Sequence, residues 1–167
     1  YGQYHRNCLR LAFFEGKLTT LNFIRNDDEQ LSKALIGTIV LRPLDAGNIG
    51  FTLLKPDKLI FEGLCRTAEY HVVIMGRSFS ISAFPYSAQD GEVMTCAENA
   101  LYNLISFYSS KYGTYRAIMP SELSQFLESV SSERVLPSLG ITDLDIAKVL
   151  EHSQFYPRIY TYDDYQD

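Results

Sequence analysis

Cysteine and histidine are scarce in this chain, with three of each among 167 residues. Cys8, Cys65 and Cys96 form no CxxC pair, which argues against a disulfide framework and against a structural zinc site. The net charge is −5, and Lys and Arg occur without a cluster, so nucleic-acid and membrane-surface roles lack electrostatic support. Apolar runs such as HVVIM are far too short to cross a bilayer. The sequence also lacks a signal-peptide pattern, an internal repeat and a low-complexity linker. "DAGNIG" contributes two glycines but completes neither GxGxxG nor GxxxxGK[ST]. The expectation is therefore no cofactor, no metal, no nucleic-acid partner and no membrane partner. Sparse cysteine fits a reducing, cytoplasmic compartment. The chain starts with Tyr1 rather than Met, which reads as a processed product or a fragment.

What is present is an ordinary globular composition, 46% hydrophobic and 21% charged, at a length that suits one domain or one and a half small ones. The first half reads as strands. KLTTLNFI (17–24) alternates, while LIGTIVLRPL (35–44) and IGFTLL (49–54) are β-branched or apolar runs around a DAGN turn. EYHVVIM (69–75) and SFSISAF (78–84) flank Gly76-Arg77 and predict a tight hairpin, with Phe79, Ile81 and Ala83 on one face.

The second half reads as helices. From Thr95 to about Tyr112, apolar residues recur at helical spacing, and Gly113 supplies a stop. A second helix is expected from Pro120, with Leu123, Phe126, Leu127 and Val130 inward. A third, 142–152, is capped by Thr142 and buries Leu144, Ile146, Ala147, Val149 and Leu150. The tail from Phe155 reads as one short strand and a polar end. Its acidic group, Asp163, Asp164 and Asp167, lacks the Gly and Glu of a calcium loop and reads as solvated. The fold class is α+β: a β-rich N-terminal lobe over 1–83, then a helical part over 84–167.

Chemistry concentrates at QDGEVMTCAENALYNL (89–104). Thr95-Cys96-Ala97-Glu98 matches the capping box [ST]xxE and puts Cys96 at the first helical position. Unpaired backbone N–H groups there favour a thiolate, the nucleophilic form of cysteine. Gln89 lies seven residues upstream. Its carboxamide and the Cys96 N–H are the type of donors that stabilise an oxyanion, and Gly91 lets the chain fold sharply between them. The bland reading stands beside this one: free cysteines are commonly small, inert core residues, and a lone Gln is commonly a turn residue.

FPYSAQDGEVMTCAENALYNLISFY, followed by MPSEL, resembles the nucleophile segment of papain-like cysteine peptidases. It is more closely similar to the bacterial bacteriocin-leader-processing (double-glycine) peptidase-like group. LGITDLDIAKVLEHSQFYPRIYTY resembles the later stretch where such domains carry a helix and then a strand. The resemblance spans about Phe84 to Tyr162. It implies a papain-like fold, Cys96 as nucleophile at the start of the central helix, Gln89 as oxyanion donor, and peptide hydrolysis on a peptide or protein substrate. It also implies a general-base His on a strand after the helices, and only DDYQD follows Tyr162.

The base is therefore sought among the histidines present. His71 lies in the strand before the cysteine helix and can serve in a permuted chain order, because triads are defined by geometry. His152 ends the third helix, where a cation suits the dipole. His5 lies near the N-terminus. A satisfied strand histidine and a surface helix-end histidine are the plain alternatives for the first two. At the level of the whole chain two further readings stand: a non-catalytic papain-like protein-binding module, and an enzyme completed by a second chain that donates the base. The twelve tyrosines fit core and rim packing or a recognition face.

Overall fold

The computed structural model describes residues 8–43, 49–58, 60, 63–89, 96–131 and 140–162. The chain divides into two units, Tyr1–Asp90 and Gly91–Asp167.

The first unit is built on a curled antiparallel sheet of five strands, β1 (Leu9–Phe14), β2 (Leu35–Leu41), β3 (Ile49–Leu54), β4 (Ala68–Ile74) and β5 (Arg77–Tyr86). Their spatial order is β1-β2-β3-β5-β4. The ten residues of β5 serve two neighbours. Arg77 to Ala83 pair with β4, and Phe84 to Tyr86 pair with β3, so β5 carries the sheet round a corner. Alternation decides which face is covered: Phe79, Ile81 and Ala83 are buried while the residues between them face outward. Two helices, α1 (Thr20–Arg25) and α2 (Asp28–Ala34), precede β2 and add Phe23 and Leu31 to this core. Phe14, Phe23 and Phe79 form an aromatic triangle, with ring centroids 6.1–6.4 Å apart.

The alternating stretch 17–24 is not a strand. Thr19 caps α1 by accepting from the Asn22 N–H, and Asp27 caps α2 by accepting from the Gln30 N–H. Local capping outweighs an alternation only a few residues long. β1 and α2 are elements that the pattern did not mark. The hairpin turn is Met75-Gly76 rather than Gly76-Arg77. Both turn residues have positive φ, at 49° and 82°, as the mirror-image turns of two-residue hairpins require.

The second unit contains α3 (Cys96–Lys111), α4 (Pro120–Val130) and α5 (Asp143–His152). Leu101, Ile105, Leu123, Leu127 and Val149 are among its buried apolar positions. Pro120 opens α4 in the first turn, where its missing N–H costs nothing. Leu144, expected inward, is 65% exposed, and the buried face of α5 runs through Asp145 and Val149. The segment after α5 is not a strand over residues 155–161. It is held instead by an Arg116 N–H to Ser153 C=O bond and by Phe155, which stacks on Tyr115 and meets Tyr108 edge-on. Pro157 there removes a donor that a strand would need. At the coarse level the protein is mixed α+β, as expected.

Candidate functional site

Cys96 is the first residue of α3 and is exposed. That position is the N-terminal end of a 16-residue helix, where the helix dipole favours an anion. Cys96 is therefore accessible to a reactant, unlike the inert core cysteine of the bland reading. Thr95 and Gly91 lie outside the described residues, so the capping box there has no structural account. Glu98, its expected third-position acid, is fully buried in the first turn of α3.

Gln89 is exposed three residues beyond the end of β5. The chain reaches it from a fixed point. Ala88 donates its N–H to Ile49 C=O at 2.8 Å and accepts from the Arg42 guanidinium at 2.7 Å. Gln89 belongs to the first unit and Cys96 to the second.

His71 also belongs to the first unit. It stands opposite Ser80 in the β4–β5 register, and its Nδ1 lies 3.1 Å from the Ser80 hydroxyl. That is a cross-strand polar pair on an exposed face.

His152, at the end of α5, shares the second unit with Cys96. Its Nε2 accepts from the Arg116 guanidinium at 3.1 Å and lies 3.6 Å from a Glu122 carboxylate oxygen. Its ring stacks on Phe126, with centroids 4.4 Å apart. Arg116 in turn pairs with Glu122. A guanidinium has no lone pair to offer, so in this arrangement Nε2 is the acceptor and the ring proton sits on Nδ1. The basic lone pair of Nε2 is thus occupied by Arg116, and no hydrogen bond joins His152 to Cys96 among the described residues. The helix-end histidine anchors α5 to α4. His5 and the acidic tail group lie outside the described residues.

Two groups that sequence patterns did not single out carry much of the local electrostatics. Asp145 is buried at the third position of α5, inside a capping box with Thr142. Burial pushes its carboxyl up, but hydrogen bonds from the Thr142 hydroxyl and N–H outweigh it, helped by Lys148 and Ser131. The net effect holds the carboxyl below the ordinary range. Arg77 sits at the start of β5 and gathers Asp28 and two main-chain carbonyls. Nothing local in the sequence announces it, because its partners lie about fifty residues away.

Among the described residues no group of three or more His, Cys, Asp or Glu side chains is arranged to hold a metal ion. No helix of the described residues is long and apolar enough to cross a membrane.

An open concavity lies elsewhere. A groove of about 790 Å³ opens in the first unit between β1, α1 and the β4–β5 hairpin, with Phe13, Phe23, Ile24 and Met75 in its lining. A smaller pocket of about 320 Å³ is lined by Arg10, Phe51, Tyr70 and His71 among others. Comparison with known proteins brings no match, whether by family model, by curated sequence or by solved structure.

Proposed function

We propose that this chain carries the nucleophile of a papain-like thiol hydrolase acting on peptide or protein substrates. The observation that supports the reading is an exposed cysteine at the first residue of the longest helix, with a glutamine seven residues before it at the exit of the last strand. In the reaction the Cys96 sulfur attacks the scissile carbonyl carbon, forming a C–S bond while the carbonyl π pair moves onto oxygen. The Cys96 N–H then stabilises that oxyanion, and the Gln89 carboxamide is the second donor that the sequence resemblance implies. Collapse of the intermediate expels the amine and leaves a thioester, which water hydrolyses to return the thiol. The imidazole that takes the thiol proton and passes it to the leaving amine comes from outside the described residues, from a further segment or a second chain. The papain-like architecture is part of this proposal.

A second reading is favoured by one observation. His152, the titratable imidazole that shares a unit with Cys96, is engaged by Arg116 and stacked on Phe126 rather than bonded to sulfur. A chain so arranged serves as a non-catalytic protein-binding module.

The competing readings separate in one experiment. Cys8, Cys65 and Cys96 are all exposed, so accessibility alone gives them similar rates. The chain is treated at pH 7 with iodoacetamide and, separately, with a peptidyl chloromethyl ketone, and each site is followed by mass spectrometry. The hydrolase reading expects Cys96 to outpace the other two by tenfold or more with the peptidyl reagent, and expects Gln89→Ala to remove that advantage. Equal rates at all three thiols that persist when the base-bearing segment or second chain is supplied overturn it and leave the binding module.

A further inference from the structure

Among the described residues the curled sheet is open along one seam. There β1 and β4 are its two edge strands and do not pair with each other. Four antiparallel steps separate them, β1 to β2, β2 to β3, β3 to β5 and β5 to β4, so β1 and β4 run in the same direction. An antiparallel sheet closes on itself without a parallel step only when its strand number is even. With five strands, direct closure would force a parallel pair, which is slightly less favourable per residue. One strand running opposite to both edges resolves the mismatch, because it is antiparallel to each neighbour.

The seam has features that fit such a guest. The Arg10 side chain reaches across it and donates to the Val73 main-chain carbonyl at 3.3 Å, so a side chain occupies a place where a strand would supply an N–H. Two concavities of the first unit lie along the seam, and each is lined from both edges. Arg10 and Val73 meet in the smaller one, while Ala12, Phe13, Ile74 and Met75 meet in the larger. The order along β1 and β4 is the same in both, as strands of one direction require. Phe13 is 42% exposed and Met75 82% exposed, an apolar rim at an edge that isolated sheets usually protect with charge or proline.

We propose that the seam between β1 and β4 binds one extended peptide segment of a partner protein, running antiparallel to both edges, apolar at alternate positions and bearing a carboxylate opposite Arg10. Main-chain hydrogen bonds to two edges supply affinity, and the apolar side chains of one face enter the groove at Phe13 and Met75. When the guest N–H takes over the Val73 carbonyl, the Arg10 guanidinium is released to the guest carboxylate, which is the charge complement the seam offers. This goes beyond the thiol chemistry and does not depend on Cys96.

The test uses the full chain and a phage-displayed library of nine-residue peptides, with Val, Ile, Leu or Phe at alternate positions and random residues between. The enriched peptide is synthesised and titrated by fluorescence anisotropy. Expected are enrichment of an Asp or Glu, micromolar binding, and slowed amide exchange in both β1 and β4. N-methylation of alternate peptide amides should weaken binding at least tenfold. Arg10→Glu should turn the preference from acidic to basic residues, and should Arg10→Glu lose the fold by circular dichroism, Arg10→Gln should erase the acidic preference. The proposal is overturned if no alternating peptide enriches, or if N-methylation and the Arg10 variants change nothing. It is equally overturned if the seam amides are protected by concentration-dependent dimerisation, since the occupant is then a second copy of this chain.

Discussion

Arg77 Nε lies 2.7 Å from Asp28 Oδ1, joining the first residue of β5 to the first residue of α2 across 49 positions of sequence. The same guanidinium donates to the Phe23 carbonyl and, at 2.8 Å, to the Asn26 carbonyl, and it lies 5.5 Å over the Phe23 ring. One planar fork thus serves the carbonyls at the end of α1, the start of α2 and an aromatic face. A lysine offers a single point charge and cannot reproduce that geometry.

Arg77→Ala should therefore destabilise the first unit by about 2–3 kcal/mol, because two partly buried carbonyls lose their donor along with the ion pair. Arg77→Lys should recover less than half of the loss. Amide exchange of β4 and β5 gives the readout, and unchanged protection in both variants would show that the fork contributes little.

Gly37 stands opposite Phe13 on one side of β2 and Leu54 on the other. A Cβ built there lies 2.4 Å from both the Leu53 carbonyl oxygen and Leu54 Cδ2. The carbonyl is main chain and cannot move without disturbing the β2–β3 ladder. Gly37→Ala is expected to cost about 1–3 kcal/mol through overpacking. A melting temperature equal to that of the parent chain would contradict the close approach.

The Met75-Gly76 turn holds a bulky side chain at φ 49°. An L-residue in that region carries a penalty of roughly 1–2 kcal/mol that asparagine and glycine largely escape. Met75→Asn should raise stability by about 1 kcal/mol, with Gly76→Ala, at φ 82°, moving it the other way. Thermal melts of the two variants check both signs.

The α5 cap gives a pH signature. Asp145 has its carboxyl held below the ordinary aspartate value of 3.8, so its contribution is fully present above that pH and is lost as pH falls through the lower native value. Thr142→Ala should cost about 1 kcal/mol at neutral pH. Asp145→Asn keeps an accepting oxygen but removes the charge, so its stability should fall less steeply than the parent's below pH 3.8. Parallel acid slopes for the two chains would mean that Thr142 and Lys148 favour the charged form too little to matter.

Much of the helical half was legible in advance because helices are local. Apolar recurrence, Thr142 and Pro120 lie within a few residues of the structure they direct, and α3, α4 and α5 appear where the sequence signals put them. The hairpin face of Phe79, Ile81 and Ala83 was equally plain, since alternation reports burial directly. α1 was misread for the same reason in reverse: an alternation of a few residues cannot be told from a short capped helix until Phe23 is seen packing beside Phe14 and Phe79.

The chain's composition and local periodicity determined the α+β class, the address of Cys96 at a helix start and the strand that carries His71. Strand order, the shared direction of β1 and β4, and the reach of Arg10 to Val73 were decided only by the tertiary structure. So was the capture of His152 by Arg116 and Phe126. Local patterns encode which face of an element is apolar. They do not encode which distant element covers it, because pairing between strands and salt bridges between helices depend on how the intervening chain returns.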